Sequence, residues 1–130
     1  MELNTHLNIS TSLCGKVVKL AEGYAEVLLH TTNQMRADTQ GLVHGGFVFG
    51  AADFAAMSAV NDPHVVLGSS TSKFLAPLRV SDVVLLKAKV VAEKGKKREV
   101  AVEAFVKDKL VFEGSFVTFV LDSHILGDNK

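Results

Sequence analysis

The feature that most limits how this chain folds is the stretch GGFVFGAADFAAMSAV, Gly45 to Val60, set among segments that alternate like strands. Its alanines and methionine favour helix, and its length suits a helix better than a strand. It ends near Asn61-Asp62-Pro63, because proline cannot continue a helix and restricts the residue before it. The helix is apolar nearly all round, and such a helix is normally buried. Around it the pattern is extended. Val17 to Leu20 and Tyr24 to Thr31 read as a hairpin turning at Glu22-Gly23. Thr32 to Val43 has loop chemistry with room for a short helical turn. Val65 to Leu75, Val83 to Ala92, Val100 to Val106 and Leu110 to Val120 follow, joined by a charged turn at Gly95 and a tight one at Lys107-Asp108-Lys109. Val84, Leu86, Ala88, Val90 and Ala92 share one face, opposite Lys87 and Lys89. Leu110 to Val120 is apolar on both faces, which predicts a strand covered on both sides. Short turns imply antiparallel neighbours, and one helix is the available cover. The fold class is therefore α+β: a curved antiparallel β-sheet wrapped around one long central α-helix. The 130 residues read as a single domain, with residues 1–13 as a loosely attached, flexible arm.

Composition excludes several functions. The 14 basic and 14 acidic residues cancel, which argues against nucleic acid as a partner. The longest charge-free run, the 14 residues from Thr39 to Ala52, contains Gln40, His44 and four glycines, so no membrane span is expected. One cysteine, Cys14, excludes an internal disulfide framework and a multi-thiolate zinc site. His6, His30, His64 and His124 show no metal-ligand spacing, so no metal site is expected. The start, MELNTHLNIS, lacks the basic and apolar regions of a signal peptide, and a cytoplasmic setting is the expectation.

Chemistry concentrates in Gly41-Leu42-Val43-His44-Gly45-Gly46 and in Asp53. Asp53 is the only charge between Asp38 and Asp62, and it lies too far into the helix to cap it. Burying an unpaired carboxylate is costly and raises its pKa. Such a residue is either a functional acid or a structural one bonded to a backbone N–H or an arginine. Gly45 and Gly46 stand where a helix begins, with free N–H groups and the positive end of the dipole. They admit a ligand close to backbone amides able to polarise a carbonyl, although a tight turn also calls for glycine. A lone histidine such as His44 is more often a structural hydrogen-bonding group than a base. Gly45 and Asp53 are eight residues apart, about 12 Å along a helix axis. One helix cannot easily bring both to one carbonyl, whereas two antiparallel copies can. The spacing predicts a homodimer with two sites astride its interface.

His44-Gly45-Gly46 after Gly41, followed by Ala52-Asp53 and Ala55, resembles the hotdog-fold acyl-CoA thioesterases of the phenylacetate-pathway (PaaI-like) type. Phe74-Leu75-Ala76-Pro77 resembles the segment that follows the helix in that superfamily, and the likeness extends over roughly residues 16–120. The resemblance implies a thioester hydrolase acting on a fatty or aryl acyl-CoA. Asp53 would be nucleophile or general base and the Gly45 N–H would polarise the carbonyl, with His44 and Gly46 shaping the pocket. It also implies sites shared by two protomers, dimers that often pair into tetramers, and no cofactor apart from coenzyme A as part of the substrate. Relatives commonly carry an asparagine about six residues before the histidine. Here Asp38 stands there, with Asn33 and Gln40 nearby as substitutes. Some relatives place a serine or threonine on the strand after the helix. Leu67 occupies that position here, with Ser69, Ser70 and Thr71 close by. The expected pocket is lined by Phe47, Phe54 and Phe74, with Lys73, Arg79, Lys94, Lys96, Lys97 or Arg98 meeting the phosphates. The competing reading, motivated by the missing asparagine, is a non-catalytic acyl-CoA-binding sensor or accessory protein.

Overall fold

The computed structural model describes residues 1–127. Six strands form one antiparallel sheet: β1 (Lys16–Ala21), β2 (Tyr24–His30), β3 (Val65–Phe74), β4 (Val83–Lys94), β5 (Lys97–Val106) and β6 (Lys109–Val120), in the order β1-β2-β4-β5-β6-β3. This is the hotdog fold. The short α1 (Thr11–Cys14) precedes the sheet, and the long α2 (Gly45–Val60) lies in its concavity. No helix among the described residues is long and apolar enough to cross a membrane.

The alternation read from the strands sets the core. Val84, Leu86 and Ala88 of β4, Val100, Val102 and Ala104 of β5, and Phe112 and Phe116 of β6 face the helix and are buried. Ala51, Ala52, Ala55, Ala56 and Ala59 meet them, and their small side chains let the helix sit close to the sheet. The helix stops at Asn61, in the left-handed region (φ 55°), whose N–H bonds to Met57 O at 2.8 Å.

Two expectations change. The strand β6 is not covered on both sides. Val111 is buried because a bulge against Ala104 and Phe105 makes it an extra residue, turned inward, whereas Val117 and Phe119 are only half-buried. Nor is the N-terminal arm loose. The Asn4 N–H donates to Asn61 Oδ1 (2.6 Å), Asn61 Nδ2 donates to the Glu2 carbonyl (2.8 Å), and Thr5 is buried. One side chain at the helix C-terminus therefore ties down the arm. Leu3, Ile9 and Leu13 pack against the core beside it.

The loop before α2 aims the start of that helix. The Asp38 carboxylate accepts the amides of Gln40 (3.0 Å) and Leu42 (3.1 Å), closing a turn in which Gly41 takes φ 83°. Beyond it the Val43 N–H bonds to Leu78 O (2.9 Å) and the His44 N–H to Met35 O (2.8 Å).

Candidate active site

With its own N–H held by Met35, His44 keeps an extended backbone and becomes the residue at which α2 begins. Its side chain does not cap the helix. The amides of Gly45 and Gly46 consequently have no acceptor among the described residues. At both positions neighbouring side chains approach closely. A Cβ on Gly45 would lie 3.2 Å from the Phe74 ring, and one on Gly46 2.8 Å from His44 Nε2. The imidazole stands edge-on to Phe47 (centroids 6.0 Å, 83°). Gly45 opens on a cavity of about 310 Å³ whose walls include Val43, Val48, Phe74, Pro77 and Val111. This is a helix N-terminus with free donors facing an apolar space, suited to a carbonyl oxygen that gains negative charge.

At 100° per residue, Gly46, Phe49, Gly50 and Asp53 fall in one strip of α2, and a Cβ at Gly50 would meet nothing within 4 Å. Asp53 lies in that strip. Its Oδ1 is buried without a hydrogen-bond partner, and no lysine or arginine pairs with it among the described residues. The partners that a structural aspartate needs are missing. Burial pushes its carboxyl above the usual range, and nearby His6 partly opposes this. Burial in turn holds the His6 imidazole below its usual value, so the ring is neutral near neutral pH. The Cys14 thiol is raised by burial and by the Asp53 charge.

A raised carboxyl pKa means that the folded state favours the protonated form. That stabilisation is complete below the ordinary aspartate pKa and is lost as pH rises through the raised one. Asp53→Asn is therefore expected to raise Tm near neutral pH, on the order of a few degrees, with the gain vanishing in acid. A large fall in Tm by calorimetry would instead make Asp53 structural.

The other expected site residues divide. Asn33, on the 3₁₀ turn Asn33–Met35, lies near the His44 backbone through Met35. Gln40 is exposed in the turn that Asp38 fastens, and Asp38 itself is committed to that turn. Ser69 and Lys73 are exposed on β3, with Lys73 next to Phe74. Two corrections follow. Phe54 does not line the cavity that Phe74 lines: it lies two turns, about 10 Å, beyond Phe47 along α2 and faces the arm, under His6. Lys96, Lys97 and Arg98 already pair with Asp122 (2.9 Å), Glu99 (3.5 Å) and Glu93 (2.7 Å), whereas Lys73, Arg79 and Lys94 have no ion pair among the described residues. As the spacing predicts, Asp53 and Gly45 of one chain are not brought together, because they stand eight residues apart on one helix. His6 was not foreseen, although Leu3 and Ile9 on either side of it gave the arm apolar residues to bury. No group of three or more metal-ligating side chains occurs among the described residues.

Six antiparallel strands around one helix, with bare amides at its start and an unpartnered carboxylate two turns on, define a hotdog protein. The chain belongs to the thioesterase superfamily, whose family model matches residues 40–113. It is similar to methylthioribose-1-phosphate isomerase of Aquifex aeolicus (54% identity, covering 98% of this chain and 28% of that protein). It also resembles the transcription factor FapR of Thermoanaerobacter sp. (29% identity, 89% of this chain and 58% of that protein). The chain thus spans about a quarter and somewhat more than half of these two relatives. Among solved structures it resembles the uncharacterized protein PH1136 of Pyrococcus horikoshii (46% identity, TM-score 0.97, 98% of each chain). The N33D mutant of the phenylacetic acid degradation protein PaaI of Thermus thermophilus is also similar (30% identity, TM-score 0.77, 84% of this chain and 95% of that one).

Proposed function

We propose that this chain hydrolyses acyl-CoA thioesters at sites built by two copies of itself. The observation that carries the reading is Asp53, a half-buried carboxylate whose Oδ1 is buried without a partner among the described residues, eight residues along α2 from free helix-start amides. Asp53 of one copy faces a carbonyl held by the Gly45 N–H of the other. As general base it takes a proton from water while the hydroxyl adds to the thioester carbon. As nucleophile it adds directly, and water then cleaves the anhydride. In both routes the carbonyl oxygen becomes an oxyanion at the Gly45 N–H, and collapse expels the thiolate of coenzyme A. Lys73, Arg79 and Lys94 are the cations left for its phosphates.

Self-association has a surface to use. The strand β3 is a sheet edge of ten residues with its outer backbone unpaired, and such edges invite pairing with another chain. The expected assembly is a dimer or a tetramer built from such dimers; light scattering that gives a fully active monomer would refute the shared site.

The test is a panel of acyl-CoA substrates followed with a thiol reagent. The raised Asp53 carboxyl sets its pH dependence. Activity is lost as pH falls and Asp53 takes up a proton, so the acid limb of kcat/KM is expected above the ordinary aspartate range. A limb within that range would assign the base elsewhere.

A second reading is a non-catalytic acyl-CoA sensor. The likeness to a transcription factor favours it, as does the commitment of Asp38 to its loop rather than to the site. Tight binding with no turnover across the panel, in wild type and Asp53→Ala alike, would establish it.

A further inference from the structure

Between Val48 and Ala59 the helix α2 is buried at every position except Phe49, Gly50 and Asp53. These three, with exposed Gly46 a turn earlier, make up a strip that the rest of the chain leaves partly uncovered. Glycine inside a helix is destabilising relative to alanine, so its presence calls for a reason. Elsewhere the chain supplies one. A Cβ on Gly68 would lie 2.5 Å from the Phe119 ring, and one on Gly114 2.9 Å from the Phe116 ring. At Gly50 the backbone is ordinary α-helix, and a Cβ would meet nothing within 4 Å outside its own helix. The bare position therefore answers to something beyond the single chain.

The neighbouring Phe49 is only half-buried, and its ring rests on that of Phe116 in β6 (centroids 5.5 Å, 37°). Phe116 is in register with Ser70 of the edge strand β3. The ring is thus held on the side of α2 that faces the open edge of the sheet, and the uncovered strip and the free edge share that side. The strip is also self-complementary. Gly46 precedes Phe49 by three residues, and Asp53 follows Gly50 by three. An antiparallel copy of α2 reverses this order. When Asp53 of one copy comes level with Gly46 of the other, Phe49 comes level with Gly50 and Gly50 with Phe49. The Gly45 N–H then lies one residue away, about 1.5 Å along the axis.

We propose that Phe49 and Gly50 are positioning residues: each Phe49 ring seats on the bare Gly50 backbone of the other copy and so fixes the helix register that brings Gly45 to Asp53. The inference rests on the reading of the site as one shared by two copies. Side chains of one helix pack into gaps on another, and the missing Cβ supplies the gap. A slip of one helical turn, about 5.4 Å, would carry the Gly45 donor away from the carbonyl that Asp53 meets.

The experiment uses the full chain carrying Gly50→Leu or Phe49→Ala, each made separately and then refolded together in equal amounts. Gly50→Leu alone is expected to keep its helical circular dichroism, since the added side chain meets nothing in its own chain. Its dimer is expected to weaken by roughly ten- to a hundredfold, with turnover returning as protein concentration is raised. In a mixed dimer the leucine of one chain meets the alanine of the other, while the second contact keeps its native pair. Heterodimers are therefore expected to exceed half of all dimers, the statistical share, by native mass spectrometry. Any stability that a substitution costs within its own chain cancels, because homodimers and heterodimers contain the same chains. A statistical mixture would overturn the proposal, as would a Gly50→Leu chain that dimerises and turns over like wild type. Should Gly50→Leu fold poorly, Gly50→Ala decides: it favours the helix yet is expected to weaken the dimer, and an equal or tighter dimer counts against the seat. Heterodimer excess does not depend on turnover. An inactive wild type would remove the thioesterase reading and leave the register standing, whereas turnover with a statistical mixture would remove the register alone.

Discussion

Asp53→Ala is expected to lower kcat/KM for acyl-CoA hydrolysis by roughly 10²–10⁴-fold, the usual contribution of a positioned general base. A nucleophilic role would place the loss at the upper end or beyond. The variant should fold at least as well as wild type, because the substitution removes a carboxylate whose Oδ1 is buried without a partner. Binding of a thioether analogue should change little, which separates loss of chemistry from loss of the site. Near-wild-type turnover in Asp53→Ala would remove the centre of the proposal. The aspartate would then be an unpaired charge without a role.

The second large effect is expected at Gly45. Proline is well tolerated as the first residue of a helix, and His44 already has the extended backbone that precedes proline readily (φ −64°, ψ 129°). Gly45→Pro therefore deletes the proposed oxyanion donor and leaves α2 in place, with the exposed Phe74 ring moving aside. The expected loss in kcat is about 10²–10³-fold, as for other oxyanion-hole donors. The decisive measurement is the mixture. If Gly45 and Asp53 of different copies form each site, a hybrid of Gly45→Pro and Asp53→Ala protomers contains one intact site. An equimolar mixture, refolded together to exchange subunits, should recover about a quarter of wild-type activity, since half the dimers are hybrids with one site of two. No recovery, with subunit exchange verified, would mean that both groups act within one chain.

Much of this was legible before any fold was known, for specific reasons. A helix without charges over two turns, broken at Pro63, announces burial, and one acid within it stands out because water-free surroundings penalise carboxylates. Alternation in β4 and β5 named the inward side chains because strand geometry enforces a period of two. The limits were equally physical. Val111 broke the period because a bulge adds a residue, and bulges leave no pattern in one strand read alone. Phe54 was grouped with Phe74 because both are aromatic, whereas Phe54 lies on α2 facing the arm and Phe74 at the end of β3, beside different cavities. Asp38 stood where an auxiliary site residue was sought, yet its carboxylate is occupied by two amides of its own turn.

The amino-acid order by itself determined the elements, the buried helix, the solitary carboxylate and the bare glycines at the helix start. These follow from local propensity, periodicity and the cost of burying charge, which act over a few residues. Tertiary structure alone decided that residues 1–14 dock along α2, that Asn61 fastens them, and that His6 comes to rest beside Asp53, 47 positions further along. Those contacts join segments far apart in the chain, where no repeating pattern links one residue to the other and only the packing of a closed core selects the partner.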